Sequence, residues 1–378
     1  MTTPRVSGSP ESATSVDPAG DTCVTPPSGP EQLVTYLLIT YNQVEFVEKA
    51  FQSAVEQTYE PVQLLVADDG STDGTYELLQ DLVRRRPDAH DVRMLSRDVN
   101  LGIVGNLNRA MRHAEGSLIV VAAGDDVSMP DRVATLVAAA AQTPDVQCLG
   151  SAAVVIDRSG SLRGPYLAAP PVGSLSALEI AQSNAGLLGC TAAWTREVFS
   201  SFGPLDEAIT REDVAIPFRG ALLGSTVRLA DVLVQYRLHD NNVQFRAASS
   251  TVSTRELHAG IKQHLPGNVR NYAQMQRDVE VAVSNGLLDD REAFDLRHAL
   301  DHGRQVAELE NHLADLSKGR QVAFLLRHRQ AKVGASRWAR WCLTYLAPRS
   351  YIRLVRRQQE QLRRESKAGA TTTLSKRR

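Results

Sequence analysis

From Val34 onward, short apolar runs alternate with stretches whose apolar residues recur at helical spacing, the pattern of successive β-α-β units and a mainly parallel sheet. Runs at 36–40, 62–67, 92–95, 118–122 and 146–156 predict five strands with a helix between each successive pair. A further strand-like run lies at 232–236. Past about residue 245 the strand signals fade, and stretches at 269–283 and 290–316 predict long helices. Residues 1–31 are rich in Ser, Thr, Pro and Gly and poor in large apolar residues, so burial cannot offset their ordering entropy. The expected organisation is therefore a disordered leader (1–31), an α/β domain (32–245) with a Rossmann-like, mainly parallel sheet flanked by helices, and a helical C-terminal region (246–378) ending in a basic tail.

Composition narrows the class. Hydrophobic residues make up 43% of the 378, enough for a sizeable core, and charged residues 22%. Cys23, Cys148, Cys190 and Cys342 are scattered without a C-x-x-C pair, which argues against a zinc cluster or a disulfide framework and predicts a reducing, cytoplasmic setting. No apolar run approaches the roughly 18 residues needed to span a bilayer. The net charge of −1 conceals an asymmetry, because residues 316–378 hold 17 Lys/Arg against 2 Asp/Glu. A basic tail on an acidic body points to an anionic surface as partner, lipid or nucleic acid.

In a layered sheet of this kind ligands sit beyond the carboxyl ends of the strands, and the residues there are polar. The first strand ends in Thr40-Tyr41-Asn42 and the second in Asp68-Asp69-Gly70-Ser71. Carboxylates so placed can accept hydrogen bonds from a base and from ribose hydroxyls; alternatively the segment is a turn, with Ser71 or Asp73 capping the helix that runs to about Arg86. The third strand leads to Asn100-Leu101-Gly102 and to Asn106, Asn108 and Arg109 on a helix beginning near Gly105. Gly102 would let backbone approach a ligand and the helix start favours a phosphate, unless Gly and Asn serve only as loop and cap. The apolar fourth strand stops abruptly at Gly124-Asp125-Asp126. Two carboxylates at the tip of a buried strand must be paired, hydrogen-bonded or bound to a hard cation such as Mg²⁺ or Mn²⁺, although Asp126 as a helix cap is the plain alternative. Glu212-Asp213 ahead of a helix offers a base, and His239 after the 232–236 run a metal ligand; each is also readable as an ordinary helix-start acid and a surface histidine.

Taken in order, LLITYN, ADDGSTDGT, NLGIVGNLNRA, AAGDD, FGPLDEAITREDVAIPFRGALLG and YRLHDNN resemble family 2 glycosyltransferases of the GT-A fold, over roughly residues 34–243. The resemblance implies an inverting enzyme that moves a sugar from a UDP- or dTDP-sugar to an acceptor hydroxyl, with Mn²⁺ or Mg²⁺, in cell-surface polysaccharide or glycolipid assembly. It implies that Thr40, Tyr41, Asn42, Asp68 and Asp69 line the base and ribose site, that Asn100, Gly102 and Asn108 belong to the donor site, and that Asp125, with Asp126 beside it, holds the cation against the diphosphate. His239 corresponds to a residue closing over the diphosphate, and Asp213, next to Glu212, to the catalytic base. One departure is Ala123, where many members have an Asp that touches the ribose. The competing readings are a catalytically silent sugar-nucleotide or polysaccharide-binding scaffold, and another Rossmann-like nucleotide enzyme, against which the absence of G-x-G-x-x-G and P-loop sequences speaks. In the tail, Arg337, Arg340, Arg349, Arg353, Arg356 and Arg357 are interspersed with Trp338, Trp341, Leu343, Tyr345, Leu346, Tyr351, Ile352 and Leu354. These either lie on the inner face of an anionic membrane, near a lipid-linked acceptor, or pack on protein. Nucleic acid is the less favoured partner.

Overall fold

The computed structural model describes residues 32–85, 91–95, 99–165, 172–239, 254–328, 335–347 and residue 350. The leader, Asp240, Asn241, Asn242 and the tail beyond residue 350 lie outside the described residues, as does Arg349. The first half of the chain runs β1 (Val34–Thr40), α1 (Val47–Val55), β2 (Val62–Asp68), α2 (Thr75–Arg84), β3 (Asp91–Met94), α3 (Gly102–Met111), β4 (Leu118–Ala123), β5 (Val127–Ser128), α4 (Arg132–Gln142) and β6 (Val146–Ile156). It continues through β7 (Leu162–Pro165), β8 (Gly173–Leu175), α5 (Ala177–Ser183), β9 (Ala192–Thr195), α6 (Glu197–Phe202), α7 (Glu212–Leu223) and β10 (Ser225–Arg237). The C-terminal helices are α8 (Thr254–Ser284), α9 (Asp290–Asp315), α10 (Lys318–Arg327) and α11 (Ala335–Trp341).

The sheet order is β3-β2-β1-β4-β9-β6-β10-β5. β1 is parallel to β2 and β4, and β10 to β6, while β9 runs antiparallel between β4 and β6. The α/β layering expected of the GT-A fold is therefore present, with a reversed strand inserted that no apolar run announced. Alternate residues of β1 feed two cores. Tyr36 and Leu38 pack under α1, α2 and α4 with Leu79 and Val133, whereas Leu37 packs under α3 and α7 with Leu107 and Ile216. Burial on both faces is why these strands read as continuous apolar runs.

A third core joins α5 and α7 to the C-terminal helices through Val214, Phe218, Tyr272, Met275, Val279 and Leu300. The helices after β10 thus complete the burial of α7. Smaller differences from the sequence expectations are physical: α3 begins at Gly102 and not near Gly105, because Gly102 takes a φ of +73° that turns the chain into the helix. The 232–236 run is the second half of a longer β10, broken by register shifts between Arg228 and Val234. In the tail Trp341 and Tyr345 are buried with Val306, Leu313 and Leu325, and the Trp338 indole donates to the Leu325 carbonyl at 2.9 Å. These aromatics pack on protein.

Candidate active site

The tips of β1 and β2 are bound into one unit by side chains. Asp68 is fully buried; its Oδ1 accepts from the Thr40 hydroxyl (2.9 Å) and the Ser71 hydroxyl (2.6 Å), and its Oδ2 from the Ser71 amide (2.9 Å). Thr40 and Asp68 therefore hold the loop after β2, with three of the acceptor positions of the Asp68 carboxylate engaged. Asn42, at φ 51°, accepts from the Thr72 amide through Oδ1 and gives its own amide to Ser71 Oγ, both at 2.8 Å. Tyr41 remains half-exposed above them.

Asp69 ties the β2 tip to the loop before α3. Its Oδ1 accepts from the Leu101 amide at 2.8 Å, and the Asn100 side chain donates to the Asp69 carbonyl at 3.0 Å. Burial raises the Asp69 carboxyl above its ordinary range in spite of these backbone donors. Gly70, at φ +74°, lets the loops touch, since a Cβ there would lie 3.0 Å from the Asn100 nitrogen. Gly102 is exposed at the start of α3 beside them. Asn108, buried on α3, donates to the Leu205 carbonyl (2.8 Å) and accepts from the Leu205 amide (2.9 Å), so both ends of its amide anchor the segment after α6.

The tip of β4 meets the tip of β10 because β5 pairs antiparallel with β10, Val127 opposite Gln235. That register carries Asp125 and Asp126 to Arg237 and His239. His239 Nε2 lies 2.9 Å from Asp125 Oδ2, with both side chains mostly buried. Asp126 Oδ1 accepts from the Arg237 amide at 2.8 Å, which replaces the helix-capping alternative, and Cys190 lies near this carboxyl. Burial, and secondarily the Asp125 charge, push the Asp126 carboxyl up to about 8. Arg237 gives its Nε to the Asp125 carbonyl (2.8 Å) and its Nη1 to the carbonyls of Asp157 (3.1 Å) and Arg158 (3.2 Å), and it lies over the Phe46 ring at 5.0 Å. The Phe46 ring is also 4.8 Å from that of His239.

A second acidic pair opens α7. Arg211 Nε donates to Asp213 Oδ1 at 2.8 Å, leaving the contact to Oδ2 long at 3.4 Å. Burial, and then the Asp213 charge, push the Glu212 carboxyl up to about 8. The segment 186–190 joins the two acidic pairs. The Leu187 amide donates to the Asp213 carbonyl (2.9 Å), a Cβ on Gly189 would sit 3.7 Å from Glu212 Oε1, and Cys190 lies near Asp126. The turn Gly189–Thr191 thus lies between Asp125-Asp126 and Glu212-Asp213. Arg211, Arg237, Phe46 and Cys190 carried no sequence signal of their own beyond lying in or near the motif segments.

Among the described residues no three His, Cys, Asp or Glu side chains form a metal cage. The pair Asp125 and His239 instead suits a small divalent cation that draws most of its oxygen ligands from phosphates and water, as Mg²⁺ does and Mn²⁺ can.

Residues 35–202 match the family model described as glycosyl transferase family 2. Over these residues the chain is similar to that family. The chain is also similar to an uncharacterized glycosyltransferase of a Nostoc species, 27% identical over 228 residues, or 58% of this chain and 68% of that protein. Chondroitin synthase of Escherichia coli is 31% identical over 130 residues, 34% of this chain but 18% of the synthase. Among solved structures, a mannosyltransferase from Pyrobaculum calidifontis in complex with GDP-Man and Mn²⁺ superposes with a TM-score of 0.48 and 20% identity, covering 93% of this chain and 90% of that one.

Proposed function

We propose that the chain is an inverting glycosyltransferase that moves a sugar from a UDP- or dTDP-sugar to an acceptor hydroxyl in the assembly of a cell-surface polysaccharide or glycolipid. The observation that carries this is the convergence of Asp125 and His239, at the tips of β4 and β10, with Glu212 and Asp213 across the short turn at Gly189. One pair is suited to a nucleotide diphosphate and the other to an acceptor.

In this reading Tyr41, Asn42, Asp69, Asn100 and Gly102 form the nucleotide wall. Asp125 and His239 would hold a divalent cation, which would supply positive charge to stabilise the departing diphosphate. Arg237 fixes both aspartates from behind, and Phe46 supports His239. Asp213, through its less engaged Oδ2, takes the proton of the acceptor hydroxyl as that oxygen attacks the anomeric carbon and the nucleotide diphosphate leaves from the opposite face. Glu212 stays protonated beside it, and the base contributes about 10²–10⁴-fold.

In the same reading the outer face of α10 makes a peripheral membrane contact. Among the described residues no helix is long and apolar enough to cross a membrane. Val322 and Leu326 are exposed (43% and 64%) one turn apart, flanked by Lys318, Arg320 and Arg327. An apolar stripe edged with cations suits an anionic bilayer surface.

The test is a titration of UDP and dTDP, each with and without Mn²⁺, against the full chain and Asp125→Ala, followed by transfer assays with Asp213→Asn. Cation-dependent binding that disappears in Asp125→Ala, and transfer that disappears in Asp213→Asn with binding intact, is the expected result. Absence of nucleotide binding under every condition overturns the proposal.

A further inference from the structure

The segment between α6 and α7, residues 203–211, has no regular structure, yet it delivers Asp213 to the site. Its backbone is held from one side by a single stripe on α8. Gly267, Asn271, Gln274 and Asp278 follow one another at spacings of four, three and four, which places them on one helix face. Asn271, Gln274 and Asp278 are at least 95% buried, although that face looks into a hydrophobic interface.

Each member grips a different point. Asn271 Oδ1 accepts from the Thr210 amide (3.0 Å), and Gln274 Oε1 from the Asp206 amide (2.9 Å). Asp278 receives Arg219 in a bidentate pair (3.0 and 3.0 Å), and the same guanidinium donates to the Gly203 carbonyl (2.7 Å). Gly267 has no side chain where the Thr210 side chain sits, since a Cβ there would fall 2.2 Å from Thr210 Cγ2. Arg277 adds a contact to Asp206 at 3.1 Å. Polar groups retained inside an apolar interface, each matched to one backbone group of an irregular segment, specify a position in a way that apolar packing does not.

We infer that Asn271, Gln274 and Asp278 on α8 are positioning residues for Asp213: they preset segment 203–211, so that the helical region following the α/β domain is part of the acceptor half of the site. The inference rests on the reading of Asp213 as the base. A displacement of about 1 Å at such a group lowers turnover by as much as about 100-fold without touching the donor.

The experiment uses the full chain as Asn271→Leu and Gln274→Met. Two readouts are taken: steady-state transfer together with Mn²⁺-dependent nucleotide affinity, and hydrogen exchange of peptides covering 203–211. The expected result is a kcat lowered at least about 10-fold with nucleotide affinity and donor KM within twofold, and faster exchange confined to 203–211. Unchanged exchange in 203–211, or nucleotide affinity falling in step with kcat, overturns the inference. If the wild-type chain transfers no sugar, the transferase reading fails by itself, and the exchange measurement alone decides whether α8 presets the segment.

Discussion

Replacing Asp278 by Ala strands a guanidinium. The Arg219 and Asp278 side chains are 0% and 2% exposed, and Arg219 also lies over the Phe202 and Phe199 rings at 5.5 and 5.9 Å, so nothing but Asp278 balances its charge in the immediate contacts described. Burial raises the Asp278 carboxyl even with Arg219 beside it. Removing one partner of such a pair costs about 3–5 kcal/mol, because the remaining charge cannot regain water. For a chain of this size that is a fall of about 6–10 °C in the thermal midpoint, at roughly 2 °C per kcal/mol. The double substitution Arg219→Met/Asp278→Leu removes both charges and should recover most of the loss, since a buried pair is worth little more than well-packed apolar groups. Thermal unfolding by circular dichroism, with urea titrations to check that the unfolding slope is constant, measures both. A midpoint within about 2 °C of wild type for Asp278→Ala, or a double variant less stable than the single, would refute the reasoning.

Three further outcomes are expected. Glu212 holds its proton up to about pH 8 in the folded chain but releases it near 4.5 when unfolded, so its contribution is full below pH 4.5 and declines as pH rises toward 8. In urea titrations between pH 5.5 and 7.5 without divalent cations, Glu212→Gln should flatten the decline by up to one proton, about 1.4 kcal/mol per pH unit; an unchanged slope excludes the protonated Glu212. Gly186→Ala places a Cβ 1.8 Å from the Asp213 carbonyl oxygen and should cost about 1–3 kcal/mol and most of the transfer activity, whereas Gly189→Ala, whose nearest neighbour is 3.7 Å away, should be tolerated; equal midpoints and rates for the two would contradict the packing argument. Val322→Glu/Leu326→Glu should weaken co-sedimentation with phosphatidylglycerol vesicles at least about tenfold, and undiminished binding would remove α10 from the membrane contact.

The motif order pointed to loops that lie together at the strand tips, but not to what every residue in them contacts. The strand tips at Thr40, Asp68, Asp125 and Arg237 were legible because a buried apolar strand that ends in polar residues announces its own carboxyl end. That Asp68 and Asn108 hold loop segments was not legible. Nothing local distinguishes an Asp that faces solvent beyond a strand from one whose oxygens are engaged by Thr40 and Ser71, and Leu205 lies 97 residues from Asn108. The stripe on α8 was visible as polar residues at helical spacing, yet its meaning depended on a segment about 60 residues earlier.

The sequence by itself determined the alternation of strands and helices, the two-sided burial of the central strands and the cluster of polar loops at one edge of the sheet, all of which follow from local apolar periodicity. Tertiary structure alone decided the reversed β9 between β4 and β6, the meeting of Asp125 with His239 through the β5–β10 register, the division of labour between Asp68 and Asp69, and the burial of Trp341. Periodicity is a property of neighbours along the chain, whereas a hydrogen bond or a filled cavity depends on which distant segment arrives there.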